Sequence, residues 1–193
     1  MDTNISIVAG VITAIATFVG TVISVYVIQH NKKKEKHILF LKFRSAYKWF
    51  EEAKKFCNCI FSAEEQRGAV QIYEECIKYK PKPNKDVLEI YDISQQYGHL
   101  FNKKNEDNLF LFAQSLRNFS YEFEFLINRF AEAQKNNNQY SMIEFKNTLK
   151  QIYPREEESS FRSVDEYILQ EINKVKQAWK KVEIVFEKGK IDE

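Results

Sequence analysis

The chain has 193 residues, a formal net charge of +2 and a mean hydropathy of −0.48, enough for one compact domain plus an anchor. The near balance of charge argues against a strongly basic nucleic-acid binder, while leaving room for a local basic patch. Only 5 Gly and 3 Pro signal turns, whereas Phe and Tyr together number 26, which suits long packed helices better than a many-stranded sheet.

The first element is an uncharged run, Ile5 to Ile28. As a helix it measures about 36 Å, against a hydrocarbon core of roughly 30 Å, so it is long enough to span with tilt. It lacks the basic start, short apolar core and small-residue cleavage site of a signal peptide. Residues 1–30 therefore read as a transmembrane anchor and 31–193 as the body. The basic cluster Lys32, Lys33, Lys34 and Lys36 follows the run, then Lys42 and Arg44, while only Asp2 and the terminal amine precede it. That asymmetry predicts a cytosolic body and an external N-terminus. Cys57, Cys59 and Cys76 are odd in number and without repeated spacing, so they read as reduced thiols, in keeping with a cytosolic body.

Within the anchor, Ser6, Gly10, Thr13, Thr17, Gly20 and Ser24 recur every three or four residues. Small residues let helix backbones approach in lipid, so this stripe predicts self-association, or a polar face toward a water-filled lumen. Ile5, Val8, Ile12, Ile15, Val19, Val22 and Tyr26 form a second, apolar stripe suited to lipid. The span holds no ionisable residue, which speaks against a proton relay or a charged filter.

After the anchor the pattern predicts a helical stalk to Phe61, with Phe43, Ala46, Phe50, Ala53, Cys57 and Ile60 on one face. A second helix is expected from Ala63 to Tyr79, ended by Lys80-Pro81-Lys82-Pro83-Asn84. A third runs from Asp86 to Phe101, and Asn102 to Glu106 reads as a polar break. Asp107 to Lys135 is the clearest soluble helix, its seam being Leu109, Phe112, Leu116, Phe119, Phe123, Leu126 and Phe130. Another helix spans Ser141 to Ile152, and Pro154 with Glu156 to Glu158 reads as a connection. The last helix opens with a capping box, Ser163-Val164-Asp165-Glu166, and carries a seam from Ile168 to Phe186. That seam either closes the bundle or serves as a subunit interface. The fold class is all-α: one transmembrane helix followed by a cytosolic helical bundle.

Chemistry-bearing motifs are scarce. There is no phosphate-binding Gly-rich loop, no nucleophile elbow and no ligand spacing for a metal, so no cofactor is expected and the chain does not read as an enzyme. Arg117-Asn118 is the one fragment of interest. Helical ribonucleases of the HEPN type use an Arg, often followed by a polar residue, with a His about five residues on; the guanidinium holds a phosphate and the imidazole moves protons. Here no His follows within reach along the helix, and His99 could approach only through folding.

An uncharged N-terminal span, a Lys-rich boundary, a helical body and the degenerate Arg117-Asn118 motif together resemble the small transmembrane accessory proteins encoded beside type VI-B CRISPR systems. The resemblance is one of layout. It implies a homo-oligomeric ring with a central pore in a bacterial inner membrane, reinforcing antiviral defence by compromising that membrane. It also implies a functional link to an RNA-guided, RNA-cleaving effector. The competing reading is a membrane-tethered adaptor whose body binds a cytosolic partner, with a degenerate HEPN-like ribonuclease ranked behind it.

Overall fold

The computed structural model describes residues 2–136, 139–152 and 164–188, and the side chains of 16–136, 139–149 and 165–187 among them. The elements are helices: α1 (Asp2–Phe61), α2 (Ala69–Cys76), α3 (Lys85–Tyr97), α4 (Lys103–Lys135), α5 (Met142–Ile152) and α6 (Val164–Lys188). Single 3-10 turns, Ile77–Tyr79 and Gly98–Leu100, extend α2 and α3. The all-α reading thus holds for the described residues, whose one extended contact is an isolated bridge between Gly68 and Ser141. The chain divides into two compact units, Met1–Leu41 and Lys42–Glu193.

In the first unit, α1 runs without a break through the uncharged segment and the lysine cluster. Every described residue from Ala16 to Ile28 is exposed. Among the described residues, no helix is long and apolar enough to cross a membrane. The expected span extends beyond them: the side chains of residues 5–15 lie outside the description, and the 13 residues from Ala16 to Ile28 cover only about 20 Å of helix.

The second unit is built on the seams the sequence displays. The whole α4 stripe, from Leu109 to Phe130, is buried, as is the α1 stripe from Phe43 to Ile60. Burying each such side chain contributes roughly 1.5–3 kcal/mol relative to exposure. Aromatic rings link the helices in a continuous run. Tyr47 of α1 stacks on Trp179 of α6, Phe50 meets Phe119 edge-on at 5.1 Å, and Tyr73 of α2 stacks on Phe130 of α4 at 5.2 Å. Phe130 in turn lies 4.2 Å from Phe145 of α5. Ile168, Ile172, Val175, Trp179 and Val182 are all buried, so the α6 seam closes the bundle and is not left for another subunit.

Two helix starts differ markedly from expectation. The helix expected from Ala63 starts at Ala69, because residues 62–68 turn and spend their backbone groups on a distant segment. The Met142 amide donates to the Arg67 carbonyl at 2.7 Å, the Ile143 amide to Glu65 at 3.1 Å, and the Ala69 amide to Tyr140 at 2.8 Å. The expected polar break at Asn102 to Glu106 is the cap and first turn of α4. The Asn102 side chain accepts from the Asn105 amide at 3.0 Å, and Lys103 pairs with Asp107 at 3.0 Å. A capping box occurs at α5, where Glu144 accepts from the Ser141 amide and hydroxyl, both at 2.8 Å. The one expected at Ser163, and the Pro154 and Glu156 to Glu158 connection, lie outside the described residues.

The reduced-thiol reading is corrected at two of the three cysteines. Cys59 and Cys76 form a disulfide, their Cα atoms 5.9 Å apart. On α1 the two neighbouring cysteines point to different sides. Cys57 is buried in the core, whereas Cys59 faces the end of α2, which the turn before Gly68 folds back against it. Cys57 stays a free thiol, and burial pushes it up to about 12, so it remains protonated and unreactive.

Candidate functional site

Three groups of residues carry the functional expectations. The first is the small-residue stripe of α1, of which Ser6, Gly10 and Thr13 lie outside the described side chains. In the described part, the Ser24 hydroxyl donates to the Gly20 carbonyl at 2.8 Å, and the Thr21 hydroxyl, beside the stripe, donates to the Thr17 carbonyl at 2.8 Å. Both hydroxyls thus spend their proton inside the helix and keep their acceptor sites. A Cβ added at Gly20 would meet nothing within 4 Å, so this face of the helix is open. The second group is Lys32, Lys33, Lys34 and Lys36, one turn of charge at the end of the apolar stretch. The first three are exposed and Lys36 is half-buried.

The third is Arg117. Its guanidinium lies over the Tyr91 ring at 4.9 Å and the Tyr121 ring at 5.6 Å, and its Nε donates to the Tyr121 hydroxyl at 3.1 Å. That hydrogen bond shifts the guanidinium further toward its charged form. α4 places Arg117 and Tyr121 one turn apart, and α3 brings Tyr91 and Asp92 to the same notch, whose accessible volume is about 120 Å³. Drug-sized ligands occupy roughly 300–1,000 Å³, so the notch holds a side chain or small group, not a nucleotide. No imidazole lines it. His99 Nδ1 instead donates to the Gln96 carbonyl at 2.9 Å. Asn118 is exposed on the neighbouring side of α4. The structure therefore gathers the Arg of the degenerate motif with two tyrosines and a carboxylate, and does not bring Arg117 and a histidine together there.

One group escaped the sequence reading. Lys80 and Lys82, from the connection between α2 and α3, and Lys85, the first residue of α3, line an open groove of about 590 Å³ together with Lys48 of α1. The Lys-Pro-Lys-Pro run had signalled only a helix stop. Among the described residues, no three or more His, Cys, Asp or Glu side chains gather where a metal ion could bind. No protein-family profile, curated protein or solved structure matches the chain.

Proposed function

We propose that the chain is a membrane-anchored protein that self-associates through α1 and acts by forming a pore or otherwise perturbing the bilayer. The observation that carries this reading is the uncovered apolar surface of α1. Phe18 is 71% exposed, Val22 51% and Ile28 54%, and Val19, Ile23, Val25 and Val27 stand open around the remaining faces. A helix apolar on all sides belongs in lipid or against other helices. The charge-free sequence from Ile5, continuing to the lysine cluster, supplies the length that the described side chains alone do not. Gly20 supplies a face open to close backbone approach.

The lysines favour a cytosolic body by the positive-inside rule. The Cys59–Cys76 disulfide pulls the other way, since such bonds persist mainly in oxidising compartments. We hold to the cytosolic orientation, because the rule counts Lys and Arg near the ends of a span, and four lysines lie within a turn and a half of helix directly after the apolar run. Placement in a bacterial inner membrane, and in antiviral defence beside an RNA-guided effector, rests on the resemblance of layout.

The test is particle mass in lipid nanodiscs over a dilution series, comparing the parent chain with Gly20→Leu and, on the opposite face, Val22→Leu. A new side chain at Gly20 meets nothing within its own chain, so lost assembly would report an intermolecular contact. The expected result is a discrete oligomer that Gly20→Leu breaks and Val22→Leu keeps. An oligomer untouched by Gly20→Leu, or a parent chain that stays monomeric, sinks the reading.

A second reading, a tethered adaptor, draws on the α3–α4 surface. There Tyr121 is 56% exposed beside Arg117, two residue types that often anchor protein interfaces, with the exposed Leu88 next to them. Exchanging the span for an unrelated one separates the two: an adaptor keeps working and a pore does not.

A further inference from the structure

The unit Lys42–Glu193 is electrically neutral. Of the 29 basic residues, four belong to residues 1–41, which leaves 25; of the 27 acidic residues, Asp2 and Glu35 belong there, which also leaves 25. Against that balance the groove between α1 and the Lys80–Lys85 connection is lined by four lysines and a single carboxylate, Glu52. Lys85 pairs with Glu89 at 3.3 Å. Among the described residues, Lys48, Lys80 and Lys82 make no ion pair, although Lys48 and Glu52 stand one turn apart on α1.

The backbone that presents these lysines is fixed. Pro81 is buried between exposed Lys80 and Lys82, and Pro83 follows, so two φ angles of the connection are locked. Asn84 pins the far end: its side-chain amide donates to the Ser45 hydroxyl at 3.1 Å and the Ser45 carbonyl at 3.3 Å, while its carbonyl oxygen caps α3 at the Asp86 amide. The N-terminus of α3, capped by Asn84 and carrying Asp86 in its first turn, borders the same groove through Asn84 and Lys85. Like charges held together repel, and an anion that enters relieves the repulsion at each ammonium at once. A volume of about 590 Å³ matches a small-molecule ligand, whereas a nucleic-acid strand would need a basic track beyond the groove, on a body that is neutral overall.

We infer that this groove binds a soluble oligophosphate, an anion carrying three or four charges on linked phosphate groups. Lys80 and Lys82 reach it from the rigid connection and Lys48 from α1. Asn84 positions the connection and does not touch the ligand. The site stands within Lys42–Glu193 and is independent of how α1 meets the membrane.

The test is calorimetric titration of the full chain, in nanodiscs of zwitterionic lipid, with inorganic tripolyphosphate. Removing two charge-assisted contacts in Lys80→Gln/Lys82→Gln should weaken binding by about a hundredfold, and the affinity of the parent should fall steeply with added salt. The control, Lys180→Gln/Lys181→Gln, removes two exposed lysines of α6 and should stay within about twofold of the parent. Circular dichroism confirms that each variant is folded. Absence of saturable binding overturns the inference, as does equal loss in both double variants. Lysine-dependent binding seen only with phosphorylated lipid in the disc, and not with tripolyphosphate, overturns the soluble source and gives the groove to a headgroup.

Discussion

Tyr47 of α1 lies flat on Trp179 of α6, with ring centroids 4.3 Å apart and planes within 7°. The phenol hydroxyl continues into polar contacts, donating to Glu51 at 2.9 Å, and Lys54 pairs with the same carboxylate. One residue thus joins the aromatic core to a polar edge. Trp179 is almost fully buried, so Trp179→Ala should cost about 3–5 kcal/mol through lost contact and the cavity left behind. Tyr47→Phe keeps the ring and loses one hydrogen bond, and should cost about 1 kcal/mol. Chemical denaturation of the full chain in detergent measures both. Similar losses in the two variants would show that the stack is not what holds α6.

The relation between α1, α4 and α6 is legible in the sequence because each seam repeats at three and four residues, and such periodicity depends only on local helix geometry. The features that were missed depend on partners far along the chain. Ala63 to Arg67 consists of good helix-forming residues, yet its backbone bonds to the segment around Tyr140 and Met142. Asn102 looks like a break because a capping side chain and a loop side chain are the same residue type. Cys59 and Cys76 carry no spacing signal, and the lysine groove joins α1 to the α2–α3 connection across an intervening helix. Arg117 is visible in the sequence as part of an Arg-Asn fragment, but Tyr91, which lines its notch, arrives from α3 and cannot be seen from α4 alone.

The disulfide closes a loop with a sequence separation of 17. A cross-link of that size contributes about 3 kcal/mol by restricting the unfolded chain, so Cys59→Ser/Cys76→Ser should lower the unfolding midpoint accordingly. The same pair reports topology. In cells quenched with acid and alkylated after denaturation, a cytosolic body should yield three labelled thiols. Purified protein oxidised in air should yield one, the buried Cys57. A single labelled thiol in the quenched cells would place the body on the oxidising side and reverse the proposed orientation.

Glu51 sets a pH dependence. Burial raises its carboxyl, but hydrogen bonds from Lys54 and Tyr47 outweigh that, and the net shift is downward. A group whose folded value is lowered stabilises the fold above its unfolded value, and that stability is lost as pH falls through the folded value. The loss therefore sets in below about 4.5, the ordinary value for this carboxyl. Tyr47 stays protonated throughout, since burial and the Glu51 contact raise its phenol. Glu51→Gln should be less stable than the parent at neutral pH, and the difference should shrink as pH falls below that ordinary value. Parallel stability curves from neutral into acid pH would remove Glu51 from the acid response.

Gly98 sits in the turn between α3 and α4, where an added Cβ would come 2.8 Å from Glu106 Oε1 and 2.9 Å from its Cγ. Its φ of −54° is open to any residue, so the constraint is the neighbour and not the backbone. Glu106 is a flexible side chain, held toward Lys103 at 3.4 Å near the N-terminus of α4. Gly98→Ala should therefore push Glu106 outward and cost about 1 kcal/mol, the low end for overpacking. Glu106→Ala alone should cost only a few tenths, from the weakened interaction with the helix end. With Glu106 shortened, the methyl group has room, and the double variant should recover most of the Gly98→Ala loss. The cycle of four proteins measures that coupling directly. Simple additivity of the two losses would mean that the glycine is required for something other than its approach to Glu106.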